Sequence, residues 1–190
     1  MGFMGYELAC NPDVQQKLYE EILAMEEDLN GKTLTYEKLQ SMKYMDQVVC
    51  EVLRKWPPAP VTDRTCVKDY ELEVDGVKFT IEKGDNCMIP IWGMHHDIAY
   101  FPNPEKFDPE RFSDENKDKI EEYTYLPFGV GPRNCIGSRF ALMEVKSIFY
   151  YMLLNFKIMK TEKTPIPLEF VKVPVGLKVE KGIWVALEPR

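Results

Sequence analysis

Residues 128–137 read Phe-Gly-Val-Gly-Pro-Arg-Asn-Cys-Ile-Gly, and no other stretch of the 190-residue chain says as much about it. Its three glycines remove side chains where a flat, bulky group would need close approach to the backbone. A helix is predicted to follow, and the unpaired N–H groups at its start favour Cys135 as a thiolate that could bind a metal. Arg133 supplies a fixed positive charge that suits a carboxylate. The alternative is a buried structural thiol, which needs none of these neighbours.

Composition places the chain among globular proteins of one domain. Its length is sufficient for a packed core, and 45% of the residues are hydrophobic and 12% aromatic. The net charge of −7 and the pI near 5.0 argue against nucleic acid as a partner. The five cysteines include no CxxC pair, which argues against a disulfide framework or a four-cysteine zinc site and indicates a reducing compartment.

Most of the apolar residues lie in predicted helices. Residues 1–10 have the composition of a helix end, and Asn11-Pro12-Asp13 then has the pattern of a helix start, with Asn11 as the N-cap. The clearest period is in residues 45–56, where apolar side chains recur at helical spacing until two prolines end the helix. Further helices are predicted at 35–42 and 137–156.

Small β-structures are predicted between and after these helices. Asp75-Gly76 lies in the middle of the alternating residues 70–81 and indicates a hairpin with a type I′ turn. We also expect a buried strand at 86–92, a long irregular segment at 95–123, and a closing hairpin at 176–186 around Lys181-Gly182. The fold class that follows is mainly α with small β-sheets (α+β).

Two further motifs bear on the cysteine loop, residues 128–137. Glu51 and Arg54 lie about one turn apart on a predicted helix, and taken alone they could be an ordinary surface pair. Arg111, in the sequence Pro-Glu-Arg-Phe, could likewise be an ordinary loop arginine. What changes this interpretation is the order of the set: Glu-x-x-Arg, then Pro-Glu-Arg-Phe, then the glycine and cysteine loop before a helix.

With these motifs in this order, the chain resembles the C-terminal part of a cytochrome P450, and most closely the microsomal, insect-type members that metabolise drugs and toxins. Residues 51–54 resemble the family's K-helix motif, 107–112 its meander motif and 128–137 its haem-binding signature. Over residues 1–190 the resemblance implies the end of the I helix, the J and K helices, β-sheet 1, the meander, the haem-binding loop, the L helix and a C-terminal β-hairpin. We expect the proton-delivery motif, the membrane anchor and most of the distal pocket to lie upstream, which would make the chain a fragment.

The resemblance implies haem b as the cofactor, with the Cys135 thiolate as the iron ligand. In cytochromes P450 such a ligand pushes electron density toward the bound oxygen and favours O–O cleavage. Phe128 would pack beside the sulfur, backbone N–H groups around Ile136 would donate to it, and Arg133 and Arg64 would pair with haem propionates. The cofactor-binding residues implied are Cys135, Arg133, Arg64, Phe128, Gly131, Ile136 and Gly137.

The same resemblance assigns a structural role to Glu51, Arg54 and Arg111, as a buried ion network that locks the meander under the haem loop. Buried charges are tolerated only when they are paired, so Arg54→Ala is expected to abolish haem incorporation. Residues 59–62 and 172–175 resemble family segments that face the distal pocket, although ordinary loop packing is the alternative. The residues that suggest an apolar substrate are Pro60, Val61, Thr62 and Val175.

Two other groups of residues admit a functional interpretation. His95 and His96 could suggest a metal site, but adjacent side chains point apart on a strand and no set of acids accompanies them, so structural hydrogen bonding is the preferred interpretation. A basic patch that docks an acidic electron donor is predicted for the proximal side of the haem. Its members are Lys117, Lys119, Arg139 and Lys146.

The resemblance implies a haem-thiolate monooxygenase that hydroxylates or epoxidises apolar organic substrates with O2 and electrons from NADPH. Its partners would be a small apolar substrate and NADPH–cytochrome P450 reductase, with cytochrome b5 as a second donor, and no nucleic acid. The full-length enzyme would lie on the cytosolic face of the endoplasmic reticulum membrane. We expect its anchor in the missing N-terminal part, because no apolar run in this sequence is long enough to span a bilayer. The alternatives are a relative that isomerises or dehydrates peroxides, and an inert truncated chain without haem.

Overall fold

The computed structural model describes residues 1–172 and 176–190, which form six α-helices and three small antiparallel sheets. The predicted α+β fold class is confirmed. The helices are α1 (Gly2–Cys10), α2 (Pro12–Leu29), α3 (Tyr36–Gln40), α4 (Lys43–Lys55), α5 (Ile91–His95) and α6 (Ser138–Asn155). The strands are β1 (Thr62–Thr65), β2 (Tyr70–Val74), β3 (Val77–Ile81), β4 (Asn86–Ile89), β5 (Phe156–Lys160) and β6 (Val185–Pro189).

Two helix starts carry recognisable signals, and the side-chain cap predicted for α2 is absent. Pro12 occupies the first turn of α2, where its missing N–H costs nothing. The Thr35 hydroxyl accepts from the Lys38 N–H at 3.4 Å and so caps α3. The sequence predicted Asn11 as the N-cap of α2, but its side chain forms no capping hydrogen bond. Its amide donates instead to the Glu7 carbonyl oxygen at 2.8 Å, which satisfies the end of α1.

Helix α4 lies at the centre of the packing and touches α1, α2, α5 and α6. Its apolar stripe is buried, as the helical period predicted, and consists of Met45, Val48, Val49 and Val52. Helix α1 is buried over six of its nine residues and covers one side of α4. Because α4 is enclosed on several sides, the polar side chains of Glu51 and Arg54 are buried as well.

The three sheets each contain two antiparallel strands: β1 pairs with β4, β2 with β3, and β5 with β6. At the tip of the β2–β3 hairpin, Asp75 and Gly76 have φ of 51° and 78°. Two consecutive positive φ angles are what a type I′ turn requires, and its twist matches that of the flanking strands. The turn predicted from the Asp-Gly pair is confirmed.

The strand predicted at 86–92 is shorter and less buried than expected. Only residues 86–89 are extended, and they alternate between exposed and half-buried. Pro90 has no N–H to donate to a strand partner, and after it the chain turns into α5. The apolar residues Ile91 and Trp92 therefore pack from a helix rather than from a strand.

The predicted closing hairpin at 176–186 is wrong for the residues that the structure describes. Strand β6 does not pair across Lys181-Gly182 but with β5, which directly follows α6. Strand β5 already lies on the core through Ile158, so it offers β6 an ordered partner. Val179 forms an isolated bridge with Phe170 instead.

The chain between α5 and α6 is largely irregular, as predicted, and contains three short 3-10 turns. These are Pro109–Phe112, Lys117–Lys119 and Gly131–Arg133. The first of them packs against α4 and so brings the Pro-Glu-Arg-Phe motif to the Glu-x-x-Arg motif. Within the described part of the chain, no helix is long and apolar enough to cross a membrane.

Candidate functional site

The cysteine loop folds back on itself immediately before α6. The Cys135 N–H donates to the Phe128 carbonyl oxygen at 2.8 Å, and this hydrogen bond closes the loop. Gly129 and Gly131 have φ of 72° and 73°, a region that residues with side chains rarely adopt. Glycine at these two positions is therefore required by the turn of the backbone itself.

Cys135 is exposed, whereas the other four cysteines are half-buried. A buried structural thiol is therefore excluded as the role of Cys135 in this structure. Ile136 is fully exposed, and Val130 and Phe140 expose 50% and 64% of their surface. Apolar side chains concentrated on one exposed surface mark a place where another apolar group binds.

Gly137 lies at the N-cap of α6, and its carbonyl oxygen accepts from the Ala141 N–H at 2.9 Å. A Cβ atom placed on Gly137 would lie 4.0 Å from the Cys135 sulfur, which is an ordinary contact. The steric need for glycine is thus stronger at positions 129 and 131 than at 137. The backbone N–H groups of Ile136 and Gly137 donate to no other backbone group among the described residues.

The two arginines predicted to meet haem propionates are both exposed. Arg133 lies in the third 3-10 turn and forms no hydrogen bond or ion pair within residues 1–172 and 176–190. Arg64 lies on β1, where its Nη1 donates to the Asp63 carbonyl oxygen at 2.6 Å and to the Thr62 hydroxyl at 3.1 Å. Each guanidinium keeps free N–H donors that could bind a carboxylate.

These surroundings fit a haem. An apolar cavity of about 140 Å³ lies beside the cysteine loop and is lined by Phe128 and by side chains of α1, α4 and α6, such as Met4, Val52 and Leu142. Haem requires a ligand for its iron, apolar surface for its ring and cations for its propionates. The exposed thiol of Cys135, the apolar surface and the free guanidinium of Arg133 correspond to these three needs.

Glu51 and Arg54 form a fully buried ion pair on α4. Arg54 Nε donates to one carboxylate oxygen of Glu51 at 2.7 Å, and Nη2 donates to the other at 2.9 Å. The remaining donors of Arg54 reach the backbone carbonyl oxygens of His95 at 2.8 Å and Pro104 at 2.7 Å. Burial raises the pKa of the Glu51 carboxyl, and the hydrogen bonds from Arg54 oppose that shift.

Arg111 completes the predicted ion network but is held less tightly. Its Nε lies 3.6 Å from a Glu51 oxygen and makes no hydrogen bond in the described chain. Its Nη2 donates instead to the Asn103 carbonyl oxygen at 2.9 Å. The Asp108 N–H donates to the same Glu51 oxygen at 2.9 Å. Sequence reasoning missed these backbone partners because every residue has an N–H or carbonyl group and none is marked by its side chain.

The prediction of structural hydrogen bonding for the two histidines is confirmed, although His95 and His96 lie at the end of α5 rather than on a strand. His95 Nδ1 lies 3.1 Å from the Arg54 carbonyl oxygen, and the Leu126 N–H donates to His95 Nε2 at 2.9 Å. A carbonyl oxygen only accepts and an amide N–H only donates, so the ring is neutral with its proton on Nδ1. Burial lowers the pKa of His95 to about 4. His96 Nδ1 contacts the Trp92 carbonyl oxygen at 3.0 Å.

The residues predicted to contact substrate are only partly described. Pro60, Val61 and Thr62 are half-buried at the start of β1, and the Pro60 carbonyl oxygen accepts from the Trp92 N–H at 2.8 Å. Val175 lies outside the described residues.

The predicted basic patch loses one of its four members. Lys146 is fully buried, and its Nζ lies 2.6 Å from an Asp46 oxygen and 3.3 Å from the Gln40 side-chain oxygen. It faces α4 because position 146 lies on the inner side of α6, which the pattern of charges along the sequence did not indicate. Lys117 is exposed but forms an ion pair with Asp114 at 2.7 Å.

Comparison with known proteins places the chain among relatives of one kind. The family described as Cytochrome P450 matches residues 1–184. The chain is 53% identical over its full length to the probable cytochrome P450 9f2 of Drosophila melanogaster, covering 37% of that protein. It is 55% identical over 99% of its length to cytochrome P450 9e2 of Blattella germanica, covering 35% of it. Cytochrome P450 6k1 of the same insect is 48% identical over 96% of the chain.

The chain thus spans little more than a third of the length of the curated relatives it matches. The match includes the Glu-x-x-Arg motif, the Pro-Glu-Arg-Phe motif and the cysteine loop, all of which lie within residues 1–184. The folding pattern, the exposed cysteine and the family match agree, and the chain therefore belongs to the cytochrome P450 family, whose members bind haem through a cysteine thiolate.

Proposed function

We propose that the enzyme containing these residues is a haem-thiolate monooxygenase that inserts one oxygen atom from O2 into an apolar organic substrate by hydroxylation or epoxidation. The observation that carries this proposal is the exposed thiol of Cys135, which a loop closed by its own N–H holds beside an apolar surface. Haem, once bound there, supplies the activation of O2, which amino-acid side chains do not perform.

The cysteine loop would hold the iron and shield its ligand. Cys135 would be the thiolate ligand, and the N–H groups of Ile136 and Gly137, which donate to no backbone oxygen among the described residues, would donate to its sulfur. Phe128 would cover the sulfur from water, since it already lines the apolar cavity beside the loop. Gly131 would maintain the turn through its positive φ.

The remaining residues would orient the cofactor and the substrate. Arg133 and Arg64 would pair with the haem propionates through their free donors. Glu51, Arg54 and Arg111 would hold the chain around Asn103 and Asp108 against α4, as their hydrogen bonds do in this structure. The proposed substrate contacts remain Pro60, Val61, Thr62 and Val175, which together favour an apolar substrate.

The partners of the enzyme follow from the same proposal. Electrons from NADPH would reach the haem through NADPH–cytochrome P450 reductase, and cytochrome b5 is a second candidate donor. Arg139 is exposed near the cysteine loop and, with the exposed Lys117 and Lys119, would supply positive charge to an acidic donor, whereas Lys146 is buried and would not. We place the enzyme on the cytosolic face of the endoplasmic reticulum membrane.

The proposal is tested with the haem-loaded enzyme, its reductase and isotope-labelled O2. We expect one labelled oxygen atom in the product, together with the red-shifted Soret band that the reduced carbon monoxide complex of a thiolate-ligated haem gives. Conversion of an organic peroxide without NADPH and without incorporation of label would overturn the proposal in favour of an isomerase or dehydratase.

A further inference from the structure

His95 connects helix α4 to the segment that enters the cysteine loop. On one side, His95 and Arg54 exchange two contacts: the Arg54 Nη1 donates to the His95 carbonyl oxygen at 2.8 Å, and His95 Nδ1 meets the Arg54 carbonyl oxygen at 3.1 Å. On the other side, His95 Nε2 accepts the Leu126 N–H at 2.9 Å. One imidazole ring therefore joins the ion network to the backbone at residue 126.

The backbone at Leu126 in turn supports the closure of the cysteine loop. The Leu126 carbonyl oxygen accepts from the Gly129 N–H at 3.2 Å, which forms the first turn of the loop. The next hydrogen bond runs from the Cys135 N–H to the Phe128 carbonyl oxygen. A displacement of Leu126 therefore moves both turns that position Cys135.

The environment of His95 keeps the ring neutral and fixed. His95 is fully buried, Tyr125 stacks on the ring at 5.3 Å between centroids, and Phe101 meets it edge-on at 6.2 Å. The charged groups near it are Arg54, whose partner is Glu51, and the adjacent His96, and both disfavour a second proton on His95. Tyr125 is also titratable, but burial raises the pKa of its phenol, which therefore stays neutral. Only the neutral ring can accept the Leu126 N–H, and that N–H has no route to water.

We propose that His95 is a positioning residue for the haem-thiolate site, acting through the Leu126 N–H to hold the cysteine loop in the geometry that presents Cys135 to iron. The inference rests on the proposed haem-thiolate function. His95 would act on the cysteine loop through its hydrogen bond with Leu126. Its other contact, with the Arg54 carbonyl oxygen, joins it to the ion network.

Substitution of His95 by glutamine or by asparagine tests its two side-chain contacts one at a time. In His95→Gln the side-chain oxygen can take the place of Nε2 and accept the Leu126 N–H. In His95→Asn the shorter amide reaches only the place of Nδ1 and can contact only the Arg54 carbonyl oxygen. His96→Leu is the matched control, because His96 is the next residue of the chain, stacks on Trp92 and has no contact with Leu126.

The first measurement uses the haem-loaded enzyme. We expect His95→Gln and His96→Leu to keep the red-shifted Soret band of the reduced carbon monoxide complex. His95→Asn is expected to shift toward the unshifted band and to lose haem to a haem-free globin roughly tenfold faster, since a buried N–H is left without an acceptor. Equal behaviour of the Asn and Gln variants, or a better-preserved Asn variant, overturns the proposal.

The second measurement is amide hydrogen exchange in haem-free protein, which does not depend on the cofactor. The segment from Leu126 to Cys135 should lose protection in His95→Asn and keep it in His95→Gln. Unchanged protection in the Asn variant overturns the role of His95. Absence of the red-shifted band in the unmutated enzyme would contradict the proposed function instead, and the exchange measurement would still decide whether His95 holds the loop.

Discussion

At the scale of single residues, Cys135 and His95 show how the backbone around a side chain determines its environment. Cys135 is the exposed cysteine among five, and its exposure results from two glycine turns and one backbone hydrogen bond. His95 is the opposite case, a titratable ring that burial keeps neutral. Its two nitrogens contact the Arg54 carbonyl oxygen and the Leu126 N–H. In both cases the residue type alone leaves the role open, and the neighbouring backbone atoms decide it.

Replacing the sulfur of Cys135 tests the residue that would bind iron. In Cys135→Ser the hydroxyl remains protonated at neutral pH and is a poor iron ligand, so the reduced carbon monoxide complex should lose its red-shifted Soret band entirely. Cys87→Ser is the control, because Cys87 is half-buried on β4, opposite Arg64, and should leave the band in place. Persistence of the band in Cys135→Ser would exclude Cys135 as the ligand.

Acid should destabilise the folded protein through His95. Its pKa is about 4 in the folded state against the ordinary 6.5, so the unfolded chain takes up a proton at a higher pH than the folded one. The contribution of His95 to the free energy of unfolding is full above pH 6.5. It is lost as the pH falls toward about 4, which lowers the free energy of unfolding by about 3 kcal/mol in total. Urea unfolding of the unmutated protein and of His95→Gln across this range should show a weaker pH dependence in the variant. Identical pH dependence in the two proteins would contradict the prediction.

At the scale of elements, the ion network fixes the irregular segment 95–113 to the end of helix α4. The chain from His95 to Ser113 has little regular structure, yet it supplies two carbonyl oxygens to Arg54, one N–H to Glu51 and one carbonyl oxygen to Arg111. A buried arginine with two carboxylate bonds can orient backbone groups that no strand or helix orders. The ion network therefore replaces secondary structure as the support of this segment.

Removal of Arg54 should cost far more than removal of Arg111. Arg54→Ala leaves the Glu51 carboxylate buried without its bidentate partner, which is expected to lower the free energy of unfolding by about 3–5 kcal/mol and to prevent haem incorporation. Arg111→Ala should cost less, because Arg111 Nε lies 3.6 Å from Glu51 without a hydrogen bond. Haem content per protein and urea unfolding measure both variants. Full haem occupancy in Arg54→Ala would refute the assigned role.

The β2–β3 hairpin allows a local test of a turn. Gly76 has φ of 78°, so Gly76→Ala forces an alanine into the left-handed region and should destabilise the hairpin by about 1 kcal/mol. Gly76→Asn is the control, because asparagine tolerates this conformation better. Hydrogen exchange of the β2 and β3 amides measures both, and an alanine variant as well protected as the asparagine variant would argue against the type I′ turn.

At the scale of the whole molecule, the described surface is larger than that of a compact protein of this mass. Its accessible area is 12241 Å² for a chain of 22.2 kDa, whereas a compact monomer of that mass exposes about 9,400 Å². Apolar side chains on the cysteine-loop side, such as Ile136 and Phe140, contribute to this excess. The described residues therefore leave the apolar surface at the cysteine loop uncovered.

This openness predicts how the 190-residue chain behaves when it is expressed by itself. When the chain alone is mixed with haem, reduced and exposed to carbon monoxide, we expect no red-shifted Soret band, because Cys135 and Ile136 are exposed and the described residues do not cover this apolar surface from water. The haem-loaded enzyme measured in parallel is the control. A stable thiolate-type band from the chain alone would show that the described surface is sufficient to hold haem.

The sequence by itself determined the family, the main helices and the Asp-Gly turn, because these depend on local periodicity, turn chemistry and motif order. The same motif order predicts Cys135 as the iron ligand. Tertiary structure alone decided the burial of Lys146, the pairing of β6 with β5 and the hydrogen bonds of His95 with Arg54 and Leu126. These features join residues that are distant in sequence, often through backbone atoms that every residue has. No residue type marks such contacts, so they become visible only when packing brings the atoms together.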